Sequence, residues 1–196
     1  RKEGEKRGRK EIIISTIEHP CVLNAAAELE KSGFTLIRLP VDAAGMVDIS
    51  AYTSALSYKT LLVSIMLANN EIGSIQNIPL LAAQAHKVGA LFHTDAVQAV
   101  GKLPVSVQEL GVDYLSLSAH KIYGPKGVGA LYHKKHSPLE PLIRGGHQEG
   151  GLRAGTSNTT AIYGFGLAAE LAKKELAEYG KKMTELREYF KTELLK

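Results

Sequence analysis

The chain has 196 residues, 44% of them hydrophobic and 22% charged, which suits one folded domain with a real core and excludes a disordered chain. Its net charge of +4 is confined to residues 1–10, with six basic and two acidic groups, and the rest carries 18 of each sign, which speaks against a nucleic-acid-binding face. No apolar run reaches the length of a membrane span, the start is too polar for a signal peptide, and the single cysteine, Cys21, rules out an internal disulfide framework and suits the reducing cytoplasm.

The basic stretch 1–11 reads as a solvated leader. Ile12 to Ser15 is a short apolar run, expected as a buried strand. Pro20 to Lys31 places Val22, Leu23, Ala26 and Leu29 at helical spacing, with Pro20 tolerated in the first turn and Gly33 as the stop. Phe34 to Leu39 is a second strand, ended by Pro40. Asp48 can cap a short helix through Leu56. Leu61 to Leu67 is a third strand, strongly apolar. Pro79 to Val88 reads as a helix closed by Gly89. Leu91 to His93 is a strand leading to Asp95, and Val105 to Leu110 a brief helix before Gly111. Tyr114 to Leu117 and Val128 to Tyr132 complete the strands. Strands alternating with helices predict a three-layer α/β fold, a mostly parallel sheet with helices on both faces.

The last segment has a different period. From Ile162 the apolar positions Phe165, Ala169, Ala172, Leu176, Tyr179, Met183, Leu186, Phe190 and Leu194 follow 3-and-4 spacing. They describe a long amphipathic helix, weakened at Gly180 by about 1 kcal/mol relative to alanine. The expected organisation is a core over 12–158 and a helix over 159–196 leading towards a second domain. Both ends read as cuts in something longer.

Chemistry-bearing residues cluster at the expected strand ends. His19 follows Ile12–Ser15. Asn70 follows Leu61–Leu67. Asp95 and Gln98 follow Leu91–His93. Ser118, His120 and Lys121 follow Tyr114–Leu117. Parallel strands put such ends along one edge, where α/β proteins bind ligands. A lysine held partly out of water is a candidate amine nucleophile. A lysine and a carboxylate facing one cavity suit pyridoxal phosphate, which takes a Schiff-base lysine and an acid against its pyridinium nitrogen. Each residue alone has a plainer reading: Lys121 a surface lysine before a turn, Asp95 a helix cap, Asn70 and Gln98 loop amides. His133 and His136 flank two lysines in a solvated turn and make a poor metal site.

Five segments in series carry a family resemblance. They are Thr16-Ile17-Glu18-His19, Met66 to Gly73, His93 to Lys102, Ser118 to Pro125, and Gly145 to Glu149 with Arg153-Ala154-Gly155-Thr156. From about Ile12 to its end the chain resembles the cysteine desulfurases, pyridoxal-phosphate enzymes of the class V aminotransferase group. The resemblance implies that Lys121 is the Schiff-base lysine and a proton carrier, and that His19 stacks on the cofactor ring as acid/base. It makes Asp95 the pyridinium partner, and Asn70 and Gln98 the ring-oxygen contacts. Ser118 and His120 become phosphate contacts, with Ala119 lending backbone. Thr156 reaches the phosphate of a neighbouring subunit, which implies a homodimer.

The implied reaction takes sulfur from L-cysteine, leaves L-alanine and passes a persulfide to sulfur-acceptor proteins. The family's phosphate-binding Gly-Thr-Thr stretch lies upstream of this chain. Its persulfide cysteine and substrate-carboxylate arginine lie downstream of Lys196. Cys21 is not that cysteine, although a helix start could lower its thiol pKa. Two alternatives stand beside this reading: a selenocysteine lyase or other enzyme of the same class, and a non-catalytic dimerisation or docking module.

Overall fold

The computed structural model describes residues 2–196. Six strands form one sheet: β1 (Glu11–Ser15), β2 (Thr35–Leu39), β3 (Thr60–Ser64), β4 (Leu91–Asp95), β5 (Tyr114–Ser118) and β6 (Gly129–His133). Their spatial order is β2-β1-β3-β4-β5-β6. All neighbouring pairs from β2 across to β5 are parallel, and β6 runs antiparallel to β5. The 119–128 connection before β6 holds only a short 3-10 turn, too little for a helical crossover, so the chain doubles back.

Helices supply the parallel crossovers. In α2 (Pro20–Lys31) proline opens the helix and His19 caps it. In α3 (Ile49–Ala55) the Asp48 side chain accepts from the Ala51 N–H. In α4 (Ile78–Lys87) Asn77 caps the Leu80 N–H, and in α5 (Val107–Leu110) Ser106 caps Glu109. Each cap satisfies a helix-start N–H that has no partner within its helix.

Alternation along β1 divides the core between the two sheet faces. Ile13 joins the larger cluster with Tyr52, Val63, Leu81, Phe92 and Leu115, under α3, α4 and α5. Ile12 and Ile14 face the other way, towards Ala26 of α2 and Phe34 and Leu61. The mostly parallel, helix-flanked sheet is therefore the arrangement expected from the sequence.

The expected solvated leader takes another form. Residues Lys2–Arg7 make a helix, α1, and Gly4 is buried. Arg9 Nη1 donates to the Thr60 carbonyl at 3.0 Å and the Val88 carbonyl at 2.9 Å. A guanidinium fork is well suited to two carbonyls at once, and this one ties the segment to β3 and to the end of α4. Arg1 of that leader lies outside the described residues.

The long helix α6 spans Thr159–Leu194, and the Asn158 side chain caps it at Ala161. Of its described side chains only Ala161 and Ala168 are buried. Met183, Leu186, Tyr189 and Phe190 are exposed, so its apolar stripe runs beyond the sheet. Among the described residues no helix is long and apolar enough to cross a membrane.

Tyr52 tests how the larger core closes. It is 0% exposed, and its hydroxyl donates to the Leu81 carbonyl at 2.7 Å. Tyr52→Phe is expected to cost about 1 kcal/mol and Tyr52→Ala about 3–5 kcal/mol of unfolding free energy. Urea unfolding monitored by far-ultraviolet circular dichroism checks both, and an alanine variant as stable as the parent would contradict the packing.

Candidate active site

Four neighbouring parallel strands, β1, β3, β4 and β5, end on one edge of the sheet. The loops that leave those ends carry, in spatial order, His19, Asn70, then Asp95 with Gln98, then Ser118, His120 and Lys121.

At the end of β1 the chain turns into α2 through His19. Its Nδ1 accepts the Cys21 N–H at 3.3 Å and lies 3.0 Å from Cys21 Sγ. An acceptor role at Nδ1 puts the proton of the neutral ring on Nε2. The imidazole is exposed. Cys21 is exposed too, but its thiol is pushed up, first by desolvation and next by the negative charge of Asp95. That corrects the expectation that a helix start would lower it: burial and a nearby carboxylate outweigh the dipole.

Past β3 two adjacent asparagines have different jobs. Asn69 is buried, donates to the Ile17 carbonyl at 2.9 Å and accepts the N–H groups of Glu71 and Ile72. It binds the β3 loop to the β1 loop. That fixes the backbone next to Asn70, which is exposed at the same edge.

Asp95 is the last residue of β4 and only 7% exposed. Its Oδ1 accepts the Val97 N–H at 2.9 Å, turning the chain out of the strand. The sequence pattern ends this strand at His93; pairing of Thr94 and Asp95 with Leu115 and Ser116 carries it two residues further. Gln98 is half-buried, and its Oε1 accepts from Lys102 Nζ at 3.1 Å.

Ser118 closes β5, and Ser118 Oγ pairs with His120 Nδ1 at 2.7 Å. Ala119, fully buried, starts the 3-10 turn Ala119–Ile122 that carries Lys121. The turn ends at Tyr123 in the left-handed region, φ 63°. Gly101 is pressed against it, because a Cβ there would lie 2.6 Å from Ile122 Cγ2.

Lys121 is exposed and lines a cavity of about 570 Å³ with Lys102, Tyr123, Glu175 and Tyr179, between the 3-10 turn and α6. Asp95 is not among the residues that line this cavity, and it ends the strand next to the one that leads to Lys121. Lys102, in the same cavity, is lowered by desolvation and then by the charge of Lys121. Thr156 is exposed in the loop before α6.

One group in this corner has no role in the sequence reading. Glu18, beside His19, is 4% exposed and hydrogen-bonded to both Ser15 and Met66. Its signal was the Ser15-to-Glu18 spacing of a capping box next to a strand end; here the carboxyl turns inward instead.

An amine, an imidazole, a buried carboxylate and several amide and hydroxyl donors on one edge form a donor set that fits a cofactor carrying an aldehyde, a ring nitrogen and a phosphate. Comparison with known proteins agrees. Residues 2–196 match the family described as Aminotransferase class-V. A cysteine desulfurase of Gluconacetobacter diazotrophicus is 52% identical over 189 residues, 96% of this chain and 47% of the relative. The chain spans about half the length of the curated relatives it matches. A NifS-like protein superposes with TM-score 0.96 at 44% identity, over 99% of this chain and 53% of that one. SspA in complex with cysteine gives TM-score 0.81 at 44% identity, over 86% and 50%. With the family match running over residues 2–196 and about half of its residues identical to those of a cysteine desulfurase, the chain belongs to the class V aminotransferase family.

Proposed function

We propose that the protein containing this chain is a cysteine desulfurase that uses pyridoxal phosphate. Cysteine and an acceptor thiol give alanine and a persulfide: the substrate Cβ–S bond breaks and an S–S bond forms. The observation that carries this reading is the alignment of four parallel strand ends, which gathers His19, Asn70, Asp95 and Lys121 along one edge in a chain similar throughout to cysteine desulfurases.

Pyridoxal phosphate supplies, when bound, an electron sink that weakens the bonds at the substrate Cα. The chain's own residues do the rest. Lys121 Nζ would hold the cofactor covalently and would carry a proton to and from the substrate carbon. Asp95, set in a largely dry corner, opposes a protonated ring nitrogen. His19 offers an Nε2–H, the form that donates a hydrogen bond or a proton. Asn70 and Gln98 orient the ring oxygen. Ser118, Ala119 and His120 hold the phosphate at the start of the 3-10 turn.

Thr156, exposed in the loop before α6, serves the site of a second subunit, and a homodimer is the assembly we propose. Sulfur-acceptor proteins are the onward partners. The free Cys21 thiol supports the reducing cytoplasm as the working compartment.

Borohydride reduction of the intact, cofactor-loaded protein, followed by digestion and mass spectrometry, should place the pyridoxyl label on Lys121. A label on Lys102 or any other lysine would sink the assignment. Lys121→Ala should lower cysteine-dependent sulfide release by about 10²-fold or more, the usual reach of a positioned acid–base group. Asp95→Asn should lower it as well, and should change the absorbance spectrum of the bound cofactor.

A further inference from the structure

Glu18 is 4% exposed, which is unusual for an acid, and among the described residues no ion pair to it is found. Its Oε1 accepts from Ser15 Oγ at 2.5 Å and from the Met66 N–H at 2.9 Å. Its Oε2 is buried with no hydrogen-bond partner among the described residues. Ser15 closes β1, and Met66 lies just past β3, so this carboxyl joins two strand ends beside His19.

A buried carboxylate with one oxygen unpartnered is expensive, whereas the neutral acid needs less. In that form Oε1 is a carbonyl-like acceptor of two donors and Oε2 carries the proton. The surroundings agree. Burial pushes Glu18 up to about 7, and the charge of Asp95 adds to that, against the pull of Ser15 and Met66. The ionisable groups that face it are Asp95, from the end of β4, and the Cys21 thiol, from α2; His19 is its chain neighbour. Dry surroundings and the negative charge of Asp95 both favour the protonated form of Glu18.

We propose that Glu18 is a positioning residue of this site: as a neutral acid it ties the His19 loop to the end of β3 and spares Asp95 a second negative charge. This rests on the roles given above to His19 and Asp95.

Glu18→Gln keeps the size, the acceptor and the neutrality; Glu18→Ala removes all three. Two measurements need neither cofactor nor substrate. The first is stability against pH in the intact protein. An acid raised in the folded state contributes stability that is complete below its ordinary value of 4.5 and is lost as pH rises through about 7. Glu18→Gln should remove that share of the slope. The second is the nuclear magnetic resonance of the His19 ring, which should stay in place in Glu18→Gln and shift in Glu18→Ala. In the loaded protein, Glu18→Gln should keep kcat within about twofold while Glu18→Ala loses about ten- to a hundredfold, with KM little changed, as expected of a misplaced acid–base group.

A glutamine variant as impaired as the alanine variant would overturn the neutral-acid role, as would an unchanged pH slope. Parental His19 resonances and rates in both variants would overturn the positioning role. If Glu18→Ala does not fold, the glutamine variant decides through the slope and the His19 ring. A pyridoxyl label away from Lys121 would overturn the proposed function and leave these two measurements standing.

Discussion

Parallel pairing is the constraint from which the site follows. Once β1, β3, β4 and β5 run the same way, their carboxyl ends must share one edge, and every helix must return the chain to the other. Residues far apart in the sequence then lie along one edge without any contact made for that purpose. The sheet interior makes the edge rigid: Val63, Phe92 and Ile13 are fully buried, and strands seated so cannot slip by one residue without turning their apolar side chains outward. A site built on the last residue of such a strand inherits that precision, and Asp95 is such a residue.

Electrostatics at this edge are set by burial more than by ion pairs. Asp95 is nearly enclosed, and its charge is felt by Glu18, by Cys21 and by His93. His93 is lowered by burial, and its two ring nitrogens are taken up by Ser64 and Ser116, so it stays neutral and structural behind the site. His19, two strands away, is exposed and keeps Nε2 available. One imidazole is largely enclosed and the other open, and what surrounds each ring decides which can meet a ligand.

Much of this was readable from residue order. Pro20 and the 3-and-4 spacing that follows marked α2 to the residue, and Asp48 marked its helix because a short acid before an apolar run supplies the missing cap. Strand ends were less legible. Thr94 and Asp95 are polar and read as loop, yet backbone pairing with β5 holds them in the sheet, and pairing is not a property of local composition. The basic leader misled for a similar reason: a run of charges looks solvated, while one guanidinium, Arg9, finds two carbonyls far along the chain. Glu18 is illegible locally, because a Ser-x-x-Glu spacing looks like a surface cap and nothing in the sequence says that its carboxyl faces inward.

Gly101 has the plainest consequence for how such a protein can change. The turn bearing Lys121 rests on a spot where one methyl group is missing, and the backbone there sits at φ 77°, where side chains are strained. Both space and torsion forbid the same thing. A library randomised at this codon and screened for function would therefore return glycine, though position 101 bears no reactive atom: inheritance would be guarding an emptiness, and the amine is held in place by it.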